Sequence, residues 1–202
     1  MEKEVISFGA KIPIAECKIQ NRKTGKTESA TVYEYTCTDK SDVEKIKRIV
    51  AREDWEFGSD IAYDAHWKNT VIENNDKCYG FMKDYHVYTL ENNRRKTIGL
   101  CETKETDNII VEFCETLQDK KYKYAGQTLL ASIAQKACNS SLTLIIENAA
   151  TKALDFYRKV CGFTEEVYED EEISFIVDKR QMQDFIEQTE KRTNGKIVCL
   201  NA

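Results

Sequence analysis

The sequence predicts a mixed α/β fold forming a single domain over residues 1–202, and three observations carry that reading. Residues 108–146 run as strand, basic loop, helix and strand. Ile109, Val111 and Phe113 alternate with Ile110, Glu112 and Cys114, and Leu129, Leu130, Ile133, Ala134 and Ala137 then recur at helical spacing. Short strand-like runs bounded by polar turns fill the first 37 residues and return between 78 and 102. Only eight glycines and one proline serve 202 residues, so most of the chain belongs in regular elements.

Taken in order, residues 5–8 and 12–19 read as apolar-rich strands, and residues 21–26 as a polar turn carrying Gly25. Residues 31–37 set Val32, Glu34 and Thr36 against Tyr33, Tyr35 and Cys37. The capping box Ser41-Asp42-Val43-Glu44 announces a helix with Val43, Ile46, Ile49 and Val50 as its buried stripe. A second helical or loop segment, residues 59–72, carries Tyr63, His66 and Trp67. Residues 78–82 and 87–90 read as short strands, 92–96 as a turn and 97–102 as another strand. Residues 142–146 are a continuous apolar strand of the buried kind. A helix holding Phe156 and Tyr157 follows and ends at Gly162-Phe163, and residues 173–177 are a further strand. The tail adds a helix with Met182, Phe185, Ile186 and Thr189 on one side, then an apolar segment at 197–200.

Composition excludes several classes. No segment approaches the ~18 uninterrupted apolar residues of a membrane helix, and residues 1–5 lack the apolar core of a signal peptide. A cytoplasmic protein with no membrane partner is expected. Eight cysteines form no Cys-x-x-Cys pair, and only His66 and His86 could supplement them, so free core thiols and no metal are expected. A net charge of −5 argues against nucleic-acid binding, which needs a dominant basic surface. Residues 165–172 concentrate acid. Such a run is usually a solvated turn; beside an active site it would favour a cationic acceptor such as a polyamine, a lysine side chain or an amino sugar.

From Lys120 to Cys138 there is no Asp or Glu. A helix N-terminus presents unpaired N–H groups and partial positive charge, so this helix start suits a phosphate group.

Together these segments resemble the GNAT superfamily of acyl-CoA-dependent N-acetyltransferases. The family's phosphate loop, Arg/Gln-x-x-Gly-x-Gly/Ala, matches Lys121-Tyr122-Lys123-Tyr124-Ala125-Gly126, with Tyr124 at the first glycine. The pattern Ala-x-x-Phe-Tyr…Gly-Phe is met by Ala153, Phe156, Tyr157, Gly162 and Phe163, with one extra residue between the Tyr and the Gly-Phe pair. The family's Asn falls on Ala150, with Asn148 close by. The resemblance covers about residues 30–178, leaving an N-terminal strand extension and a C-terminal helix–strand extension. It implies a central mixed, mostly antiparallel sheet flanked by helices.

It also implies roles. Acetyl-CoA would be the co-substrate, held by the backbone of Glu115, Thr116 and Leu117, by the loop Lys121, Tyr122, Lys123, Tyr124, Ala125, Gly126 and Gln127, and by Asn148. Without glycine at 124 the loop is expected to use ordinary φ/ψ values. Tyr157 would protonate the departing thiolate, a task suited to a phenol that stays neutral at pH 7; its plain alternative is a core anchor. Glu112 or Glu115 could be the general base, at most one facing the reaction centre because strand residues three apart point to opposite faces. Each is also readable as an edge carboxylate, and water could relay the proton. His66 and His86 are further candidate bases, and Trp55, Tyr63 and Trp67 could wall an acceptor pocket. The acceptor would be a small-molecule or peptide amine, and a homodimer is compatible.

Two other readings stand beside this one. A GNAT-fold module without catalysis could serve binding or assembly. Residues 153–163 also look like the helix of glyoxalase and bleomycin-resistance proteins, whose spacing they match better; that fold needs repeated βαβββ units and His/Glu metal ligands.

Overall fold

The computed structural model describes residues 11–36, 49, 85–117, 121–169 and 171–200. The strand at 5–8, the helix after Ser41 apart from Ile49, the segment 59–72 with His66, and Trp55, Cys37 and the strand at 78–82 lie outside them.

The described chain builds a ten-stranded mixed sheet with helices against it, the architecture the alternation predicts. Its strands are β1 (Ile12–Asn21), β2 (Thr27–Thr36), β3 (Tyr85–Asn92), β4 (Thr97–Glu105), β5 (Asn108–Thr116), β6 (Tyr122–Lys123), β7 (Thr143–Ile146), β8 (Glu166–Glu169), β9 (Glu172–Val177) and β10 (Val198–Cys199). Spatial order is β10-β1-β2-β3-β4-β5-β7-β9-β8, with β6 on β1 off that path. Every described pairing is antiparallel except β5 with β7, which are joined by the crossover helix α1 (Ala125–Asn139). A second helix, α2 (Lys179–Thr193), packs against α1.

Helix α1 is buried on nearly every side, because the sheet covers one flank and α2 another. Its Leu129, Leu130, Ile133, Ala134 and Ala137 are fully enclosed, as their spacing predicts. Helix α2 is amphipathic: Met182, Phe185, Ile186 and Thr189 face inward, Asp178 caps its start by accepting from Gln181 N–H, and Asn194 ends it in a left-handed turn.

Two departures from the sequence reading matter for the site. First, β5 carries a bulge. Cys101 pairs with Cys114 and Glu102 with Phe113, but Thr103 pairs with Val111, so Glu112 is an extra residue. Cross-strand partners share a face, so Val111 and Cys114 lie on the same face although three apart. The simple alternation of 109, 111 and 113 against 110, 112 and 114 therefore fails at Glu112. Second, the helix expected at 153–163 is a 3-10 turn, Thr151–Ala153, followed by a π-turn, Phe156–Cys161. A π-turn holds one more residue than an α-turn. It absorbs the extra residue between Tyr157 and Gly162-Phe163, and left-handed Gly162 (φ 75°) closes it as Phe163 N–H returns to Tyr157 C=O at 3.1 Å.

Candidate functional site

β5 and β7 pair only from Asn108↔Thr143 to Val111↔Ile146, and Glu147 N–H makes the last bond, to Val111 C=O at 3.0 Å. Beyond that point β5 continues to Thr116 with no described strand on its β7 side. The two parallel strands thus part into a cleft that starts at the bulge.

Backbone direction along this stretch follows from the hydrogen bonds. Leu117 N–H donates to Ile98 C=O on the β4 side at 3.3 Å. Because successive residues point to alternate sides, Glu115 also points its backbone to β4, whereas Cys114 and Thr116 point theirs into the cleft. Of the three residues expected to meet the co-substrate, only Thr116 turns its backbone into the cleft; Cys114, which the sequence pattern did not single out, turns the same way, because the register could not be read from sequence.

The cleft ends at the loop before α1. β6 pins that loop to β1 through Gln20↔Lys123 and Asn21↔Tyr122, and Arg22 N–H adds a bond to Lys121 C=O at 2.8 Å. Buried Tyr122 accepts from Asn92 Nδ2 at 3.0 Å and donates to Glu28 Oε2 at 3.3 Å. Tyr124 adopts φ 66°, ψ 10°, the left-handed conformation that glycine takes most easily. The expectation of ordinary φ/ψ values at 124 is therefore wrong: the tyrosine makes the glycine's turn. No side chain caps α1, and no acid sits in its first turn. The N–H groups of Ala125, Gly126 and Gln127 are consequently left without intrahelical acceptors. A Cβ at Gly126 would meet Thr116 Cγ2 at 3.3 Å, so glycine lets the helix start lie close to the cleft strand. Gln127 turns its amide to Thr189 of α2 at 3.1 Å, leaving only its backbone for a ligand. Lys121 is exposed, with its Nζ 5.2 Å from the Tyr122 ring centroid.

Tyr157 comes from the π-turn onto the same sheet face as α1. It packs against Phe156 (5.3 Å between centroids), Phe175 (5.4 Å) and Phe163 (6.4 Å). Burial, reinforced by the neighbouring thiols of Cys114, Cys101 and Cys161, pushes its hydroxyl well above the usual phenol range, so it stays protonated. The hydroxyl makes no hydrogen bond among the described residues. Arg158, next in sequence, instead forks onto Glu166 of β8 at 2.6 and 2.7 Å and fixes the π-turn to that strand.

Glu112, at the bulge, is half-buried; Glu115 is buried on the face away from α1, beside Leu100. Glu102, which the sequence reading passed over, is likewise buried there, opposite Phe113. Asn148 is exposed and left-handed (φ 46°), its N–H donating to Ser174 Oγ at 3.1 Å. The acidic run is a hairpin, β8–β9, and not only a turn; Glu165, Glu169, Glu171 and Glu172 remain exposed.

A second polar cluster gathers at the other end of α1. Lys136 Nζ donates to Glu34 Oε1 (3.1 Å), Glu105 Oε2 (2.8 Å) and the Tyr88 hydroxyl (2.5 Å), and Tyr88 donates to Glu105. His86 Nδ1 lies 2.6 Å from Glu34 Oε1. Oxygens of Glu34 and Glu105 and a nitrogen of His86 lie within 4.8 Å of one another, the spacing of a cation site, and the Lys136 ammonium supplies the charge. Burial pushes Glu34 up, but His86 and Lys136 outweigh it and hold the carboxyl below its usual value.

No family model and no curated protein matches the sequence. Among solved structures the chain is similar to a protein of the GNAT family from Desulfovibrio desulfuricans, at 12% identity over 74% of this chain and 99% of that one, with a TM-score of 0.49. It is similar to the PaiA N-acetyltransferase of Thermoplasma acidophilum in complex with coenzyme A, at 15% identity over 72% and 97%, with a TM-score of 0.48. It is also similar to the KacTA–DNA complex, at 13% identity over 52% and 74%, with a TM-score of 0.44. With TM-scores below 0.5, these likenesses decide neither family nor activity.

Proposed function

We propose that the protein is an N-acetyltransferase that moves an acetyl group from acetyl-CoA to a primary amine by direct attack. The observation that carries this reading is the cleft between β5 and β7, with outward backbone groups of Cys114 and Thr116 on one wall, an uncapped helix start at one end and Tyr157 beside it. An extended amide-containing arm can add to such an edge as a strand does. A pyrophosphate suits the first-turn amides of α1, with Lys121 and Lys123 supplying charge. The resemblance of residues 121–126 and 153–163 to GNAT motifs supports the same assignment.

Chemically, the amine must reach the thioester carbonyl as the free base, and the thiolate must leave. Tyr157 supplies the proton to the leaving sulfur, a role favoured by a hydroxyl kept protonated and uncommitted. Glu112, half-exposed at the bulge, is better placed than enclosed Glu115 to take the amine's proton directly or through water. The exposed carboxylates of the β8–β9 hairpin favour a cationic acceptor.

Calorimetric titration with acetyl-CoA tests the reading. Micromolar binding and a raised melting temperature are expected, because a ligand that binds only the folded state stabilises it by mass action. Lys121→Glu should abolish most of that rise; an unchanged rise would place the co-substrate elsewhere. Binding without turnover across a panel of polyamines, peptides and amino sugars would instead identify a non-catalytic module.

A further inference from the structure

The cleft sits on a pair of thiols to which direct acetyl transfer assigns no task. Cys101 of β4 and Cys114 of β5 are cross-strand partners, one step from the bulge. The Leu117–Ile98 hydrogen bond fixes the alternation between these strands: 98/117 and 100/115 are hydrogen-bonded pairs, and 101/114 is a non-hydrogen-bonded pair. In such a pair the Cα atoms stand about 4.5 Å apart and the side chains approach most closely. That separation lies within the ~4.4–6.8 Å that a disulfide spans, so the backbone need not move. Burial first, and then the neighbouring Cys114 thiol, push the Cys101 thiol up, as expected of side chains that meet across the pair. Cys114 is half-buried and open to a small oxidant, while Cys101 is fully enclosed behind it.

We propose that Cys101 and Cys114 form a reversible cross-strand disulfide that acts as a redox switch on the cleft. A peroxide is the oxidant. Its O–O bond breaks as the Cys114 sulfur gains a hydroxyl, giving a sulfenic acid and one water. The Cys101 sulfur then attacks the Cys114 sulfur; the S–O bond breaks, and the hydroxyl leaves with the Cys101 proton as a second water. Two thiols are oxidised by two electrons, and one peroxide becomes two waters. A dithiol reductant reverses the step. The new bond staples β4 to β5 where the cleft opens and removes two thiols that neighbour Tyr157.

The test uses the full chain with hydrogen peroxide at limiting dose. Intact and peptide mass spectrometry should show the loss of two hydrogens and a peptide link between residues 101 and 114. The link should be absent in Cys101→Ser and Cys114→Ser, kept in Cys161→Ser, and removed by dithiothreitol. A link to Cys161, or a sulfinic acid on Cys114 with no link, would overturn the proposal. Its effect on the cleft rests on the acetyl-transfer reading: acetyl-CoA affinity should fall at least about tenfold on oxidation and return on reduction, against a 1.4 kcal/mol scale per tenfold. A linked protein that binds acetyl-CoA like the reduced one overturns the switch. Reduced protein that does not bind acetyl-CoA overturns the functional reading instead, and the mass result alone then decides the thiol pair.

Discussion

The two ends of helix α1 are finished in opposite ways. At its C-terminal end, Lys136 draws Glu34, Glu105, Tyr88 and, through Glu34, His86 into one network contributed by β2, β3, β4 and the helix itself. Its N-terminal end has no capping side chain, no acid in the first turn and a strained tyrosine before it. One end spends its polar groups on holding the fold together, the other leaves them for something else. Stability and binding should therefore respond separately to substitutions at the two ends.

The largest expected effect belongs to the closed end. Lys136→Met removes the ammonium that two mostly buried carboxylates share, leaving Glu105 without it and Glu34 with His86 alone, and should cost about 3 kcal/mol of unfolding free energy. Chemical denaturation measures that loss, and acetyl-CoA affinity should stay unchanged in the folded fraction. A loss of affinity alongside would mean that the two ends are coupled.

At the cleft, Tyr157→Phe keeps the ring and its packing against Phe175 and Phe163 while deleting the donor. With a working acceptor, kcat should drop on the order of 10²-fold with acetyl-CoA affinity nearly intact. Turnover at the wild-type rate would hand the proton to water or to another side chain.

The loop offers a conformational test. Tyr124→Gly retains the left-handed turn and should preserve the acetyl-CoA-induced rise in melting temperature. Tyr124→Pro cannot take a positive φ and should abolish it. Equal behaviour of the two variants would mean that the turn does not shape the binding end.

The smallest effect is one of pH. Glu34 has its folded value held below the ordinary carboxylate value of 4.5, so its contribution is present above that value and is lost as pH falls through the lower folded one. The stability difference between the wild type and Glu34→Gln should therefore shrink only below about pH 4.5. A difference that vanished nearer neutrality would overturn the assignment to Glu34.

What was legible in the sequence was what repeats locally. The period-2 runs gave β2 and β5, short runs bounded by polar turns gave β4, a continuous apolar run gave β9, and the period-3.6 stripes gave α1 and α2, because each is a local pattern whatever lies opposite. The bulge at Glu112 was hidden because exposure still alternates along β5 while the faces exchange beneath it. Left-handed Tyr124 was hidden because intrinsic preference argues against it; β6 and the helix start impose it. The Lys136 network was invisible for a different reason. Its members are separated by up to 102 residues, and nothing short of the folded register brings them together.

The π-turn has a consequence for descent. An insertion in an α-helix swings every later residue about a third of a turn around the axis, which would carry Gly162 and Phe163 off their seats. Here the surplus residue is swallowed between Tyr157 and Cys161, so the Tyr157 side chain and the helix exit both keep their places. A lineage can gain or shed that residue in a single event without disturbing either neighbour. Any residue-by-residue comparison with a chain lacking it must open a gap inside the turn, or every assignment after Tyr157 slips by one.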